Sequence, residues 1–359
     1  MSVNKYSRSR DKIRPHGFPL DSPWDNFFSY LAPRDLFIWF REIVQDLPNG
    51  FVKIKNAGEM LMLGGYSYLG LNCHPEIKEA CSEAIQRYGS GTHGSRWLAG
   101  HTSLHHELEE LLAEIHGTED AIVYSSGYVS NVSTFSALLN RNDTVYSDEL
   151  NHASIIDGCR SCGAAIKIFR YNDPDDLKKQ IKENSLSGRR MVAIDGIYSM
   201  TGDICNVPEF VSVCQEYDAA LFIDECHSHF VLGKNGGGVK EFFKLSESDI
   251  DIEMGTLSKA IPSDGGYIVG SADMITFLRR ASRGFIYSGS TSAVMISAAI
   301  TGLKLFKRNR KLLISNLTEN TQFFRTAIEN KGLQLIGGGH TPIVPIFVGP
   351  AIAAARAAA

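Results

Sequence analysis

The sequence predicts an α/β protein built on a mostly parallel central sheet covered by helices on both faces. Two observations carry this. From Val52 onward, apolar runs of strand length alternate with amphipathic stretches of helical period, joined by short loops rich in Gly, Asn or Asp. The strand runs read as continuously apolar, as strands buried on both faces do. Ligands of such sheets sit beyond the carboxyl ends of the strands.

Taken in order, residues 1–50 hold an aromatic-rich segment, Trp24 to Phe40, interrupted by Pro33. Phe27, Phe28, Tyr30 and Leu31, then Phe37, Trp39, Phe40 and Ile43, recur at roughly helical spacing, which predicts an N-terminal helical arm. Residues 51–300 form the large domain. Its expected strands are 121–125, 144–147, 166–170, 192–195, 221–224, 253–257 and 267–270, and its expected helices 75–88, 103–116, 128–139, 208–217 and 272–280. Residues 301–359 are expected to begin a smaller domain, most of which the sequence lacks, and the closing run from Ala351 to Ala359 carries no argument.

The chain has 359 residues, 43% of them hydrophobic and 21% charged, enough for a sizeable core. A net charge of −4 gives no basic surface for nucleic acid, and no apolar run is long enough to cross a membrane. Residues 1–14 are polar and basic, without the apolar centre of a signal peptide, so a cytoplasmic location is expected. The seven cysteines, including Cys159 and Cys162, read as reduced thiols.

The candidate chemistry gathers at predicted strand ends. Lys259, in Gly255-Thr256-Leu257-Ser258-Lys259-Ala260, follows an apolar run among few other charges, where a lysine can hold an aldehyde as a Schiff base. Asp224, in Ile223-Asp224-Glu225-Cys226-His227, ends another run, where a carboxylate can keep a pyridine nitrogen protonated. Together they suggest pyridoxal phosphate, with His227 placed to hydrogen-bond the ring oxygen.

Ser125-Ser126-Gly127-Tyr128 opens a helix after a strand and offers a phosphate seat, a motif shared by many strand-to-helix turns. His152 either lies against an aromatic ring or caps a helix. Asp195 and Ser199 either reach a cofactor or form an acidic turn, and Ser288-Gly289-Ser290-Thr291-Ser292 either binds phosphate or caps a helix. The Asp224–His229 segment does not present a tetrahedral metal set, and His101, His105 and His106 with Glu107, Glu109 and Glu110 read as a solvated helix face. No metal is expected.

These motifs, in this order, resemble the α-oxoamine synthase family of fold-type I pyridoxal-phosphate enzymes. The resemblance runs from about Leu61 to Val348. It includes Tyr68-Leu69-Gly70-Leu71, His74-Pro75, Gly89-Ser90-Gly91-Thr92-His93-Gly94-Ser95-Arg96, Asn151-His152-Ala153-Ser154 and Ile197-Tyr198-Ser199-Met200. It implies that Lys259 holds the cofactor, Asp224 pairs with its ring nitrogen, His152 stacks on the ring, and Ser199 and His227 lie near the ring oxygen. Ser126, Gly127, Tyr128 and Thr256 would hold the phosphate, with Ser288 contributed by the neighbouring subunit of a homodimer.

The activity implied is a decarboxylating condensation of an amino acid with an acyl thioester, on CoA or an acyl carrier protein, giving an α-amino ketone. The sequence departs from the family's pattern at Tyr66-Ser67-Tyr68, at Ile261-Pro262-Ser263, and at Gly289 and Ser292. An aminotransferase or lyase on the same fold, or a non-catalytic partner subunit, are the alternatives. Retention of Lys259, His152 and Asp224 together argues against the last.

Overall fold

The computed structural model describes residues 24–31, 41–184, 188–339 and 341–358. After helix α1 (Asp25–Leu31), strands β1 (Ile43–Asp46), β2 (Phe51–Ile54) and β3 (Gly58–Leu61) make a small antiparallel sheet. Ile43, expected on a helix, is therefore on a strand, and this sheet crosses the expected boundary at residue 50. The reason is local. Pro48-Asn49-Gly50 forms the turn between β1 and β2, with Asn49 and Gly50 at φ 60° and 77°, a left-handed geometry that Asn-Gly adopts readily. Phe37, Trp39 and Phe40 lie outside the described residues.

Next come α2 (Pro75–Tyr88), α3 (Ser103–His116), β4 (Asp120–Tyr124), α4 (Gly127–Leu138), β5 (Thr144–Asp148), α5 (Ala153–Cys162) and β6 (Ala165–Phe169). They are followed by α6 (Pro174–Lys182), β7 (Arg190–Asp195), α7 (Val207–Glu216), β8 (Ala219–Asp224), α8 (Gly238–Phe243), β9 (Ile252–Thr256) and β10 (Gly266–Gly270). Beyond α9 (Ala272–Ala281) and α10 (Arg283–Ile286), helix α11 (Ala293–Asn330) runs through the expected division at residue 300. Strands β11 (Gln334–Leu335) and β12 (Ile346–Phe347) then pair, and α12 covers Ala351–Ala358.

The central sheet has seven strands in the order β4-β10-β9-β8-β7-β5-β6. β10 runs antiparallel to both its neighbours, and the other pairs are parallel. Helices pack on both faces, and alternate residues of each strand point to opposite sides, although edge strand β6 leaves Ile166 and Ile168 exposed. On β4, Ala121 and Val123 join the core under α2, α3 and α11, whereas Ile122 and Tyr124 join the core under α4, α5 and α9. A third apolar cluster, around Phe210, Leu221 and Ile223, seats α6 and α7.

The His101–Glu110 stretch is not wholly solvated. His105 and Glu109 are buried, and Glu109 receives two 3.0 Å hydrogen bonds from buried Arg96. The cause is that α3 turns this side toward β4, where Glu109 also accepts from the Val123 backbone. Cys159 and Cys162 lie on α5 as free thiols.

Candidate active site

The parallel strands β7, β8 and β9 end side by side. Asp195 and Asp224 occupy matching positions at the ends of β7 and β8, both buried. The chain beyond β9 turns back before β10, and that turn carries Ser258 and Lys259. Helices α4 and α5 begin at the same edge, so their unpaired first N–H groups face the same space.

A cavity of about 210 Å³ lies there, lined by Ser126, Gly127, Tyr128, His152, Ser199, Asp224, His227, Thr256 and Lys259. Nine of the ten residues selected from sequence thus border one space. Asp195 borders it as well. Ser288 does not. It sits with Arg96 and Phe285 beside another small cavity.

Asp224 is held on both oxygens: Asn131 Nδ2 donates to Oδ2 at 2.8 Å and the Cys226 backbone N–H to Oδ1 at 2.9 Å. Burial works to raise this carboxyl. The charge of Lys259 and the hydrogen bonds from Cys226 and Asn131 outweigh it and hold Asp224 below the ordinary range. Lys259 Nζ lies 2.9 Å from His227 Nε2, and His227 Nδ1 lies 2.7 Å from Tyr68 Oη. Burial, then the Lys259 charge, lowers His227 to about 3, so its imidazole is neutral. Burial raises the Tyr68 phenol well above its usual range.

Ser126 caps α4, its side chain accepting from the Val129 N–H at 3.1 Å. A Cβ at Gly127 would stand 3.1 Å from Met254 Cε and 3.4 Å from Thr256 Oγ1, so glycine keeps this cradle open. His152 caps α5: its Nδ1 is 2.7 Å from Ser154 Oγ, while its backbone N–H donates to Asp195 Oδ2 at 3.1 Å. It therefore serves as a cap and borders the cavity as well. Tyr128 is half exposed and donates to Asp157.

The residues present fit pyridoxal phosphate. They supply a primary amine, a charged carboxylate facing a cavity, an open cradle at a helix start, and a buried Asn131 Oδ1 with no protein partner. Asn131 and Tyr68 were missed in the sequence. Asn131 follows Tyr128 by three residues and Tyr68 opens the Tyr68-Leu69-Gly70-Leu71 motif, but the motifs assign neither a role, and Tyr68 reaches His227 across 159 positions of chain.

A second cavity, of about 670 Å³, meets the first at Ser258 and Lys259. Its other lining includes Ile43, Leu47, Phe51, Val52, Met62 and Met295. Among the described residues, no helix is long and apolar enough to cross a membrane.

The chain is 37% identical to a serine palmitoyltransferase from Sphingobacterium spiritivorum, covering 90% of this chain and 80% of that protein. It is 40% identical to an 8-amino-7-oxononanoate synthase from Geobacter sulfurreducens, over 83% and 76% of the two chains. Among solved structures, a serine palmitoyltransferase variant from S. paucimobilis with bound PLP–myriocin aldimine superposes with a TM-score of 0.84 at 30% identity, covering 93% of this chain and 88% of that one. The family model described as aminotransferase class I and II matches residues 58–358, and the chain belongs to that family.

Proposed function

We propose that this protein condenses an amino acid with an acyl thioester, releasing carbon dioxide and the free thiol and giving an α-amino ketone, with pyridoxal phosphate held on Lys259. The observation that carries this reading is the position of Lys259 at the junction of two cavities. One is lined by the carboxylate, hydroxyl and amine groups that suit the cofactor, and the other is larger, with Ile43, Leu47, Phe51, Val52, Met62 and Met295 among polar residues, and has room for an acyl group. The curated relatives named above point the same way.

Bound pyridoxal phosphate supplies an electron sink for bond cleavage at the amino-acid Cα. The protein's own groups do the rest. Asp224, charged and doubly hydrogen-bonded, favours the protonated pyridine nitrogen. His152 closes one side of the ring site, and Ser126, Gly127, Tyr128 and Thr256 seat the phosphate at the start of α4.

Lys259, when charged, donates to His227 Nε2. The single N–H of the neutral imidazole then lies on Nδ1 and donates to Tyr68 Oη. This chain steadies the lysine nitrogen where a proton must be taken from and returned to substrate. Ser288 belongs, in this reading, to the phosphate site of the second copy in a homodimer, and a cytoplasmic location is part of the same proposal.

The test is to mix the cofactor-loaded protein with single amino acids and an acyl-CoA, following thiol and carbon dioxide release. Release that requires both substrates supports the reading. Keto-acid formation without thiol release contradicts it.

A further inference from the structure

A second polar cluster lies buried on the other face of the sheet, and the reaction above makes no use of it. His116 ends α3, His229 follows β8, and Glu253 is in β9. Ile252 and Met254 point to the α4 and α5 side, so Glu253 points away from it, toward α3. One ligating atom from each of His116, His229 and Glu253 lies within 4.8 Å of the others. Their exposures are 9%, 3% and 3%.

Two atoms in this cluster have no hydrogen-bond partner, His229 Nε2 and Glu253 Oε2. They face each other at 3.5 Å, and His229 Nε2 stands 3.4 Å from Glu225 Oε1. A hydrogen bond draws nitrogen and oxygen to about 2.7–3.2 Å. Ligand atoms around a tetrahedral zinc ion, with bonds of about 2.1 Å, stand ~3.4 Å apart. These are also ion-pair distances: burial pulls His229 down, but Glu225 and Glu253 outweigh it and raise it to about 9, so without a metal the imidazole's proton lies between the two carboxylates, and an ion at this ligand spacing would take that proton's place.

The surroundings are those of a metal site. Tyr267 Oη lies 3.1 Å from His116 Nε2 and 3.0 Å from His229 Nδ1, so each imidazole has one nitrogen oriented and one to offer. Lys240 Nζ, 2.8 Å from Glu253 Oε1 and 2.8 Å from Glu247 Oε2, holds the outer carboxylate oxygen and leaves Oε2 turned inward. A cavity of about 450 Å³ bordered by His116, Lys240 and Glu247 gives a route in from solvent.

We infer that His116, His229 and Glu253 form a binding site for one divalent transition-metal ion of the zinc class, with Glu225 as the adjoining carboxylate. Two imidazoles and a carboxylate are a borderline-soft donor set that suits zinc or cobalt over magnesium or calcium. The ion would be structural. It ties the end of α3 to β9 and to the segment after β8, and none of its three ligands borders the cofactor cavity.

The test uses the full-length, cofactor-loaded protein, freed of metal by a chelator. It is titrated with Co²⁺ by visible ligand-field absorption and with Zn²⁺ by calorimetry. The expected result is about one ion per chain, with the absorption of a low-coordinate cobalt site. His229→Asn and Glu253→Gln should each weaken binding by at least ~10-fold while leaving the cofactor's own spectrum unchanged. If His229→Asn fails to fold, His116→Gln serves in its place. Absence of stoichiometric binding, or equal binding by wild type and the variants, would overturn the assignment.

Discussion

Asp195 and Asp224 stand side by side at the ends of adjacent parallel strands, each about 95% buried (5% exposed), and they do not share the same charge. Two buried carboxylates this close cannot both ionise cheaply. Burial, then the negative Asp224, raises Asp195 well above the carboxylate range. Asp224, beside Lys259 and two N–H donors, is held below it. The negative charge that faces the cofactor cavity is therefore favoured on Asp224 over Asp195.

Substituting the two aspartates separates these roles. Asp224→Asn removes the charge that the ring nitrogen needs and should slow thiol release by at least ~10²-fold. Asp195→Asn replaces the carboxyl on which charge is disfavoured by a neutral isostere and should retain activity within about tenfold. Steady-state rates of both variants, at saturating cofactor, decide this. Equal losses would contradict the assignment of charge.

Much of this site was legible in the sequence because its residues sit at strand ends and helix starts, where apolar runs stop and polar residues are few. Asp224, Lys259 and Ser126-Gly127 all have that signature. Ser288 was selected for its hydroxyl-rich loop, which leads into α11, and in this chain it lies away from the cavity. The hairpin at 43–54 departs from the expected helical arm because Ile43 continues the helical spacing of Phe37, Trp39 and Phe40, although Pro48-Asn49-Gly50 signals the turn. The roles of Glu109, Tyr68 and Asn131 depend on partners distant in the chain, Arg96, His227 and Asp224. His105, which also caps α3 with Thr102, reaches Thr291.

Asn131 is a positioning residue for Asp224. Its amide donates to both Asp224 Oδ2 and Ser154 Oγ at 2.8 Å. Asn131→Leu removes both bonds at similar volume and should cost about 1–3 kcal/mol in stability. It should also weaken cofactor retention, read by dialysis followed by absorbance. Unchanged retention would contradict the role given to it.

Arg96 and Glu109 form a buried ion pair, each side chain 4% exposed, and Arg279 adds a 3.3 Å contact to the same carboxylate. Breaking one side leaves a charge without its counterpart in the interior. Glu109→Leu should destabilise the protein by about 3–5 kcal/mol, and adding Arg96→Met should restore part of that loss. Chemical denaturation midpoints measure both.

Acid should weaken the fold through its buried histidines. Burial, then the nearby Arg96, lowers His105 to about 3. The unfolded chain takes up a proton near the ordinary histidine value of about 6.5, whereas the folded chain resists until about 3. Between those limits the unfolded state binds more protons, so stability falls as pH falls. His105→Gln should flatten this dependence by up to ~1.4 kcal/mol per pH unit, measured as denaturation free energy across that window. An unaltered slope would contradict a neutral buried His105.

The central claim is that Lys259 holds the cofactor, and covalent trapping tests it most directly. Pyridoxal-phosphate-loaded protein is reduced with borohydride, digested and sequenced by mass spectrometry. A single phosphopyridoxyl group is expected on the peptide containing Lys259, and none in Lys259→Ala. A label on another lysine, or a reduced protein with no label, would contradict it.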